Sequence, residues 1–184
     1  MYFGMIEALK RELNDDEFLV CIGAFTSVGS QLTGNCQHLI NLLIQLDWIH
    51  KKPELILAYH QFLEILVSAQ PIYTSNVIEM LIKRFRFGTC THLIIDSFGK
   101  ETDAIHHKYV HPVLEGVLKL VPSGPQFILE FVISNFPHKT ESLATHKNYL
   151  MSILELESYC PDIRTGIWRL IIQKLIQIDV NIID

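Results

Sequence analysis

Cysteine is scarce in this chain. There are four, Cys21, Cys36, Cys90 and Cys160, and no two stand in CxxC spacing. That spacing excludes a local dithiol or zinc-knuckle motif. Lys10, Arg11 and a run of acids interrupt any apolar stretch near the start, so no secretory signal is legible there. The expectation is a reducing, intracellular setting with free, mostly buried thiols. Long apolar runs are missing too. Nothing approaches the roughly 18 uninterrupted apolar residues of a membrane span, so no membrane role is expected. Positive charge is in short supply, with 15 basic residues against 20 acidic ones and a formal net charge of -5. This leaves no electrostatic footprint for nucleic acid, and direct sequence-specific binding to it is not expected. Lys51-Lys52 and Lys83-Arg84 are too short for a classical nuclear import signal.

Catalytic signatures are also wanting. The sequence has no GxSxG, no HExxH, no GxxxxGK[ST] and no GxGxxG. Nine histidines invite a metal reading, and His106, His107 and His111 lie closest together. Two imidazoles at i,i+4, such as His107 and His111, need a third and fourth ligand to hold zinc, and no set completes them. Asp15, Asp16 and Glu17 read as a helix cap on a solvated face. Gly23 and Gly29 fall on a helical stripe and are expected to permit close packing. No metal, cofactor or enzymatic activity is expected.

What the chain does have is apolar periodicity. Hydrophobic residues make up 49% of it, too many for a disordered polymer. They recur at about 3.6-residue spacing. Phe18, Leu19, Ile22, Phe25, Val28 and Leu32 form one stripe, behind the cap Asn14-Asp15-Asp16. Another follows Pro53, which suits a first helical turn: Leu55, Ile56, Tyr59, Phe62, Leu63 and Leu66. Val77, Ile78, Leu81 and Ile82 come after the break at Pro71. Tyr109, Val110, Val113, Leu114 and Val117 follow the cap Thr102-Asp103, with Pro112 inside the pattern predicting a kink or a late start. Pro125 opens the next helix. Thr140 and Glu141 open a long stripe through Leu143, Tyr149, Ile153 and Leu156. Pro161 restarts the chain for the last time. Residues 86–101 lack the period and read as an irregular connector. Trp48 sits in a break between stripes and is expected to pin that turn.

These stripes make about nine helices joined by short turns. Taking repeat starts near 16, 53, 105 and 141, the steps are 37, 52 and 36. The outer two suit a helical repeat of about 35–47 residues. The middle step is longer by roughly the length of the connector. The prediction is an all-α, HEAT-like helical-repeat solenoid over residues 1–184, with a globular helical bundle as the alternative. The Ile- and Leu-rich helix at 162–178 either faces only the helix before it or has a further apolar face that needs a cover. A missing downstream helix or a dimer contact would provide it.

Several runs carry a family likeness. They are Leu66-Val67-Ser68-Ala69-Gln70, Leu46-Asp47-Trp48-Ile49, residues 131–139, Leu150-Met151-Ser152-Ile153-Leu154 followed by Tyr159-Cys160-Pro161, and residues 170–180. In order and spacing they resemble the RRN3 family, the RNA polymerase I-specific initiation factors. The resemblance implies a HEAT-repeat scaffold, not an enzyme, that binds RNA polymerase I and bridges it to promoter core factors. It implies work in the nucleus, chiefly the nucleolus, under control by phosphorylation. It further implies a serine-bearing partner surface, onto which Ser30 and Ser68 map, with Ser27 and Ser75 as neighbouring candidates. Family members are much longer, so the expectation is a fragment or shortened form of a longer scaffold. A generic helical-repeat adaptor for another partner is the competing reading.

Overall fold

The structure is a computed structural model. It describes residues 2–11, 13–87 and 104–180, with backbone only at 2–3, 87, 104–107 and 178–180. The described residues form nine α-helices: α1 (Tyr2–Lys10), α2 (Asp15–Ser27), α3 (Gln37–Ile44), α4 (Pro53–Ala69), α5 (Thr74–Arg84), α6 (Ala104–Leu120), α7 (Pro125–Ser134), α8 (Leu143–Tyr159) and α9 (Arg164–Val180). Short 3-10 turns at Gly29–Gln31, Gly34–Cys36, Pro71–Tyr73, Phe85–Phe87 and Pro161–Ile163 join or extend them.

The packing order separates a solenoid from a bundle. The even helices stack in series, α2 on α4, α4 on α6 and α6 on α8. The odd helices do the same, α1 on α3, α3 on α5, α5 on α7 and α7 on α9. Two parallel layers of this kind are a helical-repeat superhelix, in which each repeat buries its apolar stripe against its neighbours. One buried cluster runs through the stack from Leu9 to Ile171 and includes Trp48, Tyr59, Phe62, Leu81, Val110, Ile128, Tyr149 and Ile153. Each such side chain contributes about 1.5–3 kcal/mol when fully buried.

Local chemistry explains the ends of the elements. Asn14 caps α2 by accepting from the Glu17 N–H at 2.9 Å, and the Glu17 carboxylate accepts from the Asn14 N–H at 3.2 Å, a reciprocal capping box. Pro53 occupies the first turn of α4, where its missing N–H leaves no bond unmade. Pro71 and Pro161 each open a 3-10 turn, and the residue before each has nearly the same backbone: Gln70 at φ -137, ψ 77 and Cys160 at φ -135, ψ 69. The α4–α5 and α8–α9 turns are thus one motif used twice.

A second repeated device lies in the core. Tyr59, seventh residue of α4, donates to the carbonyls of Leu43 and Ile44 at the end of α3, both at 2.9 Å. Tyr149, seventh residue of α8, donates to the Val132 carbonyl of α7 at 2.7 Å. Each ties an even helix to the end of the odd one before it. Burial pushes both phenols well above their ordinary range, with small opposing effects from Arg84 and Arg86 respectively. Trp48 is fully buried and stacks on Tyr59 at 5.5 Å between ring centroids, so it does pin the α3–α4 turn.

Some expectations need correction. Pro112 neither delays nor ends its helix, because α6 runs through it from Ala104 to Leu120. Pro112 is exposed, so the carbonyl it frees one turn back can be solvated. Gly23 is exposed and meets nothing within 4 Å of where a Cβ would stand, so it permits no close packing. Gly29 does, since a Cβ there would lie 2.7 Å from Ile65 Cγ2. It sits in the 3-10 turn beyond α2, because that helix ends at Ser27 short of the expected Leu32. Leu19 (49% exposed) and Leu143 (85% exposed) belong to no core face. The α8 cap is Ser142, accepting from the Thr145 N–H at 3.1 Å, rather than Thr140 or Glu141. The Thr102-Asp103 cap and most of the 86–101 connector lie outside the described residues, Phe85–Phe87 being a 3-10 turn.

Candidate functional site

In this topology the turns that lead from even to odd helices collect along one edge of the stack. A short ladder of hydrogen bonds holds two of them together. The Gln70 amide donates to the Ser30 carbonyl at 3.0 Å, and Tyr73 donates through its hydroxyl to the Thr33 carbonyl at 3.1 Å. Asn76 donates to Asn41 Oδ1 at 3.4 Å one step deeper. Gly29 lets the 3-10 turn at Gly29–Gln31 approach Ile65 of α4.

Three of the four candidate serines share this edge. Ser27 ends α2, is exposed, and donates back to the Ala24 carbonyl at 2.7 Å. Ser30 stands exposed in the middle of the 3-10 turn, with only its backbone engaged by Gln70. Ser68 is exposed at the C-terminal end of α4. The α4 end thus lies against the turn that carries Ser30. Ser75 is placed differently. It lies past the Pro71 turn in the first turn of α5, half-buried, donating to Asn76 Oδ1 at 3.3 Å.

Sequence reasoning missed the apolar part of this edge. Ile72, in the turn after Ser68, is 70% exposed, and Ile65 is 40% exposed beside Gly29. The position of Ile72 next to Pro71 was the available signal, since a short turn between two helices leaves part of its side chains facing solvent. Hydroxyls set among exposed isoleucines make a neutral, mixed surface suited to a protein partner.

The other candidate chemistries resolve into structure. His111 is buried, its Nδ1 lies 2.7 Å from the Tyr159 hydroxyl, and its ring stacks on Phe85 at 5.0 Å. It couples α6 to α8 and the Phe85–Phe87 turn. The side chains of His106 and His107 lie outside the described residues. Among the described residues no three His, Cys, Asp or Glu side chains gather as metal ligands. Asp15 faces Lys51 at 3.6 Å and Lys52 at 3.2 Å, while Glu17 pairs with Arg11 at 2.6 Å. The Arg11 hydrogen bond, with the Asn14 N–H, holds the Glu17 carboxyl below its ordinary range. Cys21, Cys36 and Cys160 are free thiols, and burial raises Cys21 and Cys160 away from thiolate character. Cys90 lies outside the described residues. No single described helix is long and apolar enough to cross a membrane.

Comparison with known proteins returns a consistent set. The family described as "RNA polymerase I specific transcription initiation factor RRN3" matches residues 3–184. The RNA polymerase I-specific transcription initiation factor rrn3 of Schizosaccharomyces pombe is 31% identical over 88% of this chain and 25% of its own length. The RRN3 factor of Mus musculus is 27% identical over 96% of this chain and 29% of its own. The crystal structure of RNA polymerase I transcription initiation factor Rrn3 is similar with a TM-score of 0.75 and 26% identity, over 92% of this chain and 32% of that one. The chain therefore spans about a quarter of the length of these curated relatives.

Proposed function

This chain belongs to the RRN3 family of RNA polymerase I-specific transcription initiation factors, and on that premise we propose that it is a polymerase-binding scaffold and not an enzyme. It engages RNA polymerase I, helps bring it to promoter core factors at ribosomal DNA, and works in the nucleus, within the nucleolus. The observation that carries this reading is the family match across residues 3–184 on a helical-repeat stack. The partner surface is the turn edge bearing Ser27, Ser30 and Ser68, flanked by Ile72, with Ser75 at its margin. Phosphate on Ser30 or Ser68 would add nearly two negative charges to a neutral contact area, which desolvation on docking would penalise. Residues 1–184 act as one repeat block, and a second copy covers the exposed stripe of α9.

The test is a pull-down of purified RNA polymerase I by this chain. Wild type is expected to retain the polymerase, and Ser30→Asp with Ser68→Asp to release it, while Ser134→Asp on the exposed end of α7 has no effect. Absence of retention by wild type would overturn the scaffold reading. Equal retention by the double variant would move the interface off the serine edge.

A further inference from the structure

The opposite edge of the stack, where odd helices lead into even ones, holds a different feature. Between the α7–α8 loop and the flank of α9 lies a cavity of about 310 Å³, lined by Phe136, His138, Lys139, His146 and Lys174 among others. Every titratable side chain among its described lining residues is basic. The nearby acid, Glu141, is already committed: its carboxylate meets Arg86 at 3.1 Å and accepts from the His138 N–H at 3.0 Å.

The hydrogen bonds around the two imidazoles assign their tautomers. The Thr140 N–H can only donate, and it lies 3.4 Å from His138 Nδ1, so that nitrogen accepts and the ring proton sits on Nε2. The Ser142 carbonyl can only accept, and it lies 3.0 Å from His146 Nδ1, so here Nδ1 donates and Nε2 is the nitrogen left for another partner. His146 Nε2 is enclosed and meets no hydrogen-bond partner among the described residues. A ring nitrogen buried without a partner is destabilising, and a hydrogen bond to an acidic ligand would relieve it. Lys174 lies over the Phe136 ring at 5.3 Å from its centroid, and forms no ion pair with a described carboxylate. Lys139 is engaged within the chain.

We propose that this cavity docks an acidic side chain, phosphoserine or carboxylate, of a partner's peptide segment. Lys174 supplies the counter-charge, His138 Nε2 donates, and His146 takes up a proton from solvent as the anion docks, so that its Nε2–H donates to it. Phe136 forms an apolar floor for the segment. A nucleic-acid backbone fits less well, because the positive charge is confined to one small hollow on a chain of net charge -5. The site lies away from the serine edge and does not depend on the polymerase reading.

The test is fluorescence anisotropy with the full chain and four labelled probes: a ten-residue peptide with a central phosphoserine, the same peptide with glutamate, the same with serine, and a single-stranded oligonucleotide. Binding of the phosphoserine probe, the glutamate probe or both, with the serine probe silent, is the expected result and names the anion. Lys174→Glu and, separately, His146→Phe are each expected to weaken that binding at least about tenfold. Lys119→Glu, outside the cavity, is expected to leave it unchanged, and circular dichroism confirms that each variant is folded. The proposal is overturned if neither acidic peptide binds, if Lys119→Glu weakens binding as much as Lys174→Glu, or if the oligonucleotide binds more tightly than both peptides.

Discussion

His60 shows how one buried side chain links stability to pH. It lies 8% exposed between Trp48, at 5.1 Å centroid to centroid, and Tyr109 at 6.3 Å, and its Nε2 has no hydrogen-bond partner. Burial lowers its pKa from 6.5 to about 4. The unfolded chain therefore takes up a proton below pH 6.5 that the folded chain refuses until about pH 4. Stability is complete above the unfolded value and falls as pH drops through that window, by up to about 3 kcal/mol from this group. Urea denaturation at pH 7 and pH 4.5 checks this. Wild type is expected to lose more stability between the two than His60→Leu, which lacks the titrating ring. Equal losses would assign the acid sensitivity to other groups. His60 escaped the sequence reading because a histidine inside an apolar stripe gives no sign of which neighbours close over it.

Among elements, the informative join is the one between the two halves of the stack. Arg86, in the turn after α5, donates from Nε to the Asn135 carbonyl at 3.0 Å and from one terminal nitrogen to the Phe136 carbonyl at 3.3 Å. The same nitrogen meets the Glu141 carboxylate at 3.1 Å. One guanidinium thus gathers the exit of α7 and the approach to α8. It is about one-third exposed, so solvent screens part of its charge. Arg86→Ala is expected to cost about 1–2 kcal/mol in urea denaturation, and Arg86→Lys to recover only part of it, since an ammonium cannot span the three acceptors in one plane. Full recovery by lysine would mean that charge, not geometry, matters. The elements themselves were largely legible in sequence. Pro53, Pro125 and the Asn14 cap mark helix starts because they act on their own backbone. The late start read from Pro112 did not hold because the cost of an interior proline depends on which way the helix faces, and Pro112 faces water. The α8 start was read two residues early because Thr140 and Ser142 are both competent caps. Only the fold of the 135–142 loop selects Ser142.

For the whole molecule, the open question is the last layer. Trp168, Ile172, Leu175 and Ile176 recur at helical spacing on α9 and are 47%, 55%, 54% and 58% exposed. Ile167, Leu170 and Ile171 on the same helix are buried, so the inner face is satisfied and the outer one is not. An apolar stripe of this kind is expected to drive self-association of the chain. Sedimentation equilibrium should show a concentration-dependent dimer, and Ile172→Lys combined with Ile176→Lys should give a monomer, with stability changed by no more than about 0.5 kcal/mol. A wild-type monomer at all concentrations would remove the second copy as the cover. The stripe's composition was visible in the sequence, but its outward direction was not, because 162–178 is apolar on both faces.

What the sequence determined by itself is the all-α class, the two-helix repeat and the family, since helical period, caps and prolines act over a few residues and survive in any context. Tertiary structure decided the rest. Stacking set Tyr59 and Tyr149 to the same task two repeats apart. It brought Ser30 to the end of α4 while turning Ser75 partly inward, and it enclosed basic residues from two helices and a loop in one cavity. The hydrogen bonds among these contacts join residues 15 to 49 apart in the chain, and local periodicity carries no record of which turn will lie beside which.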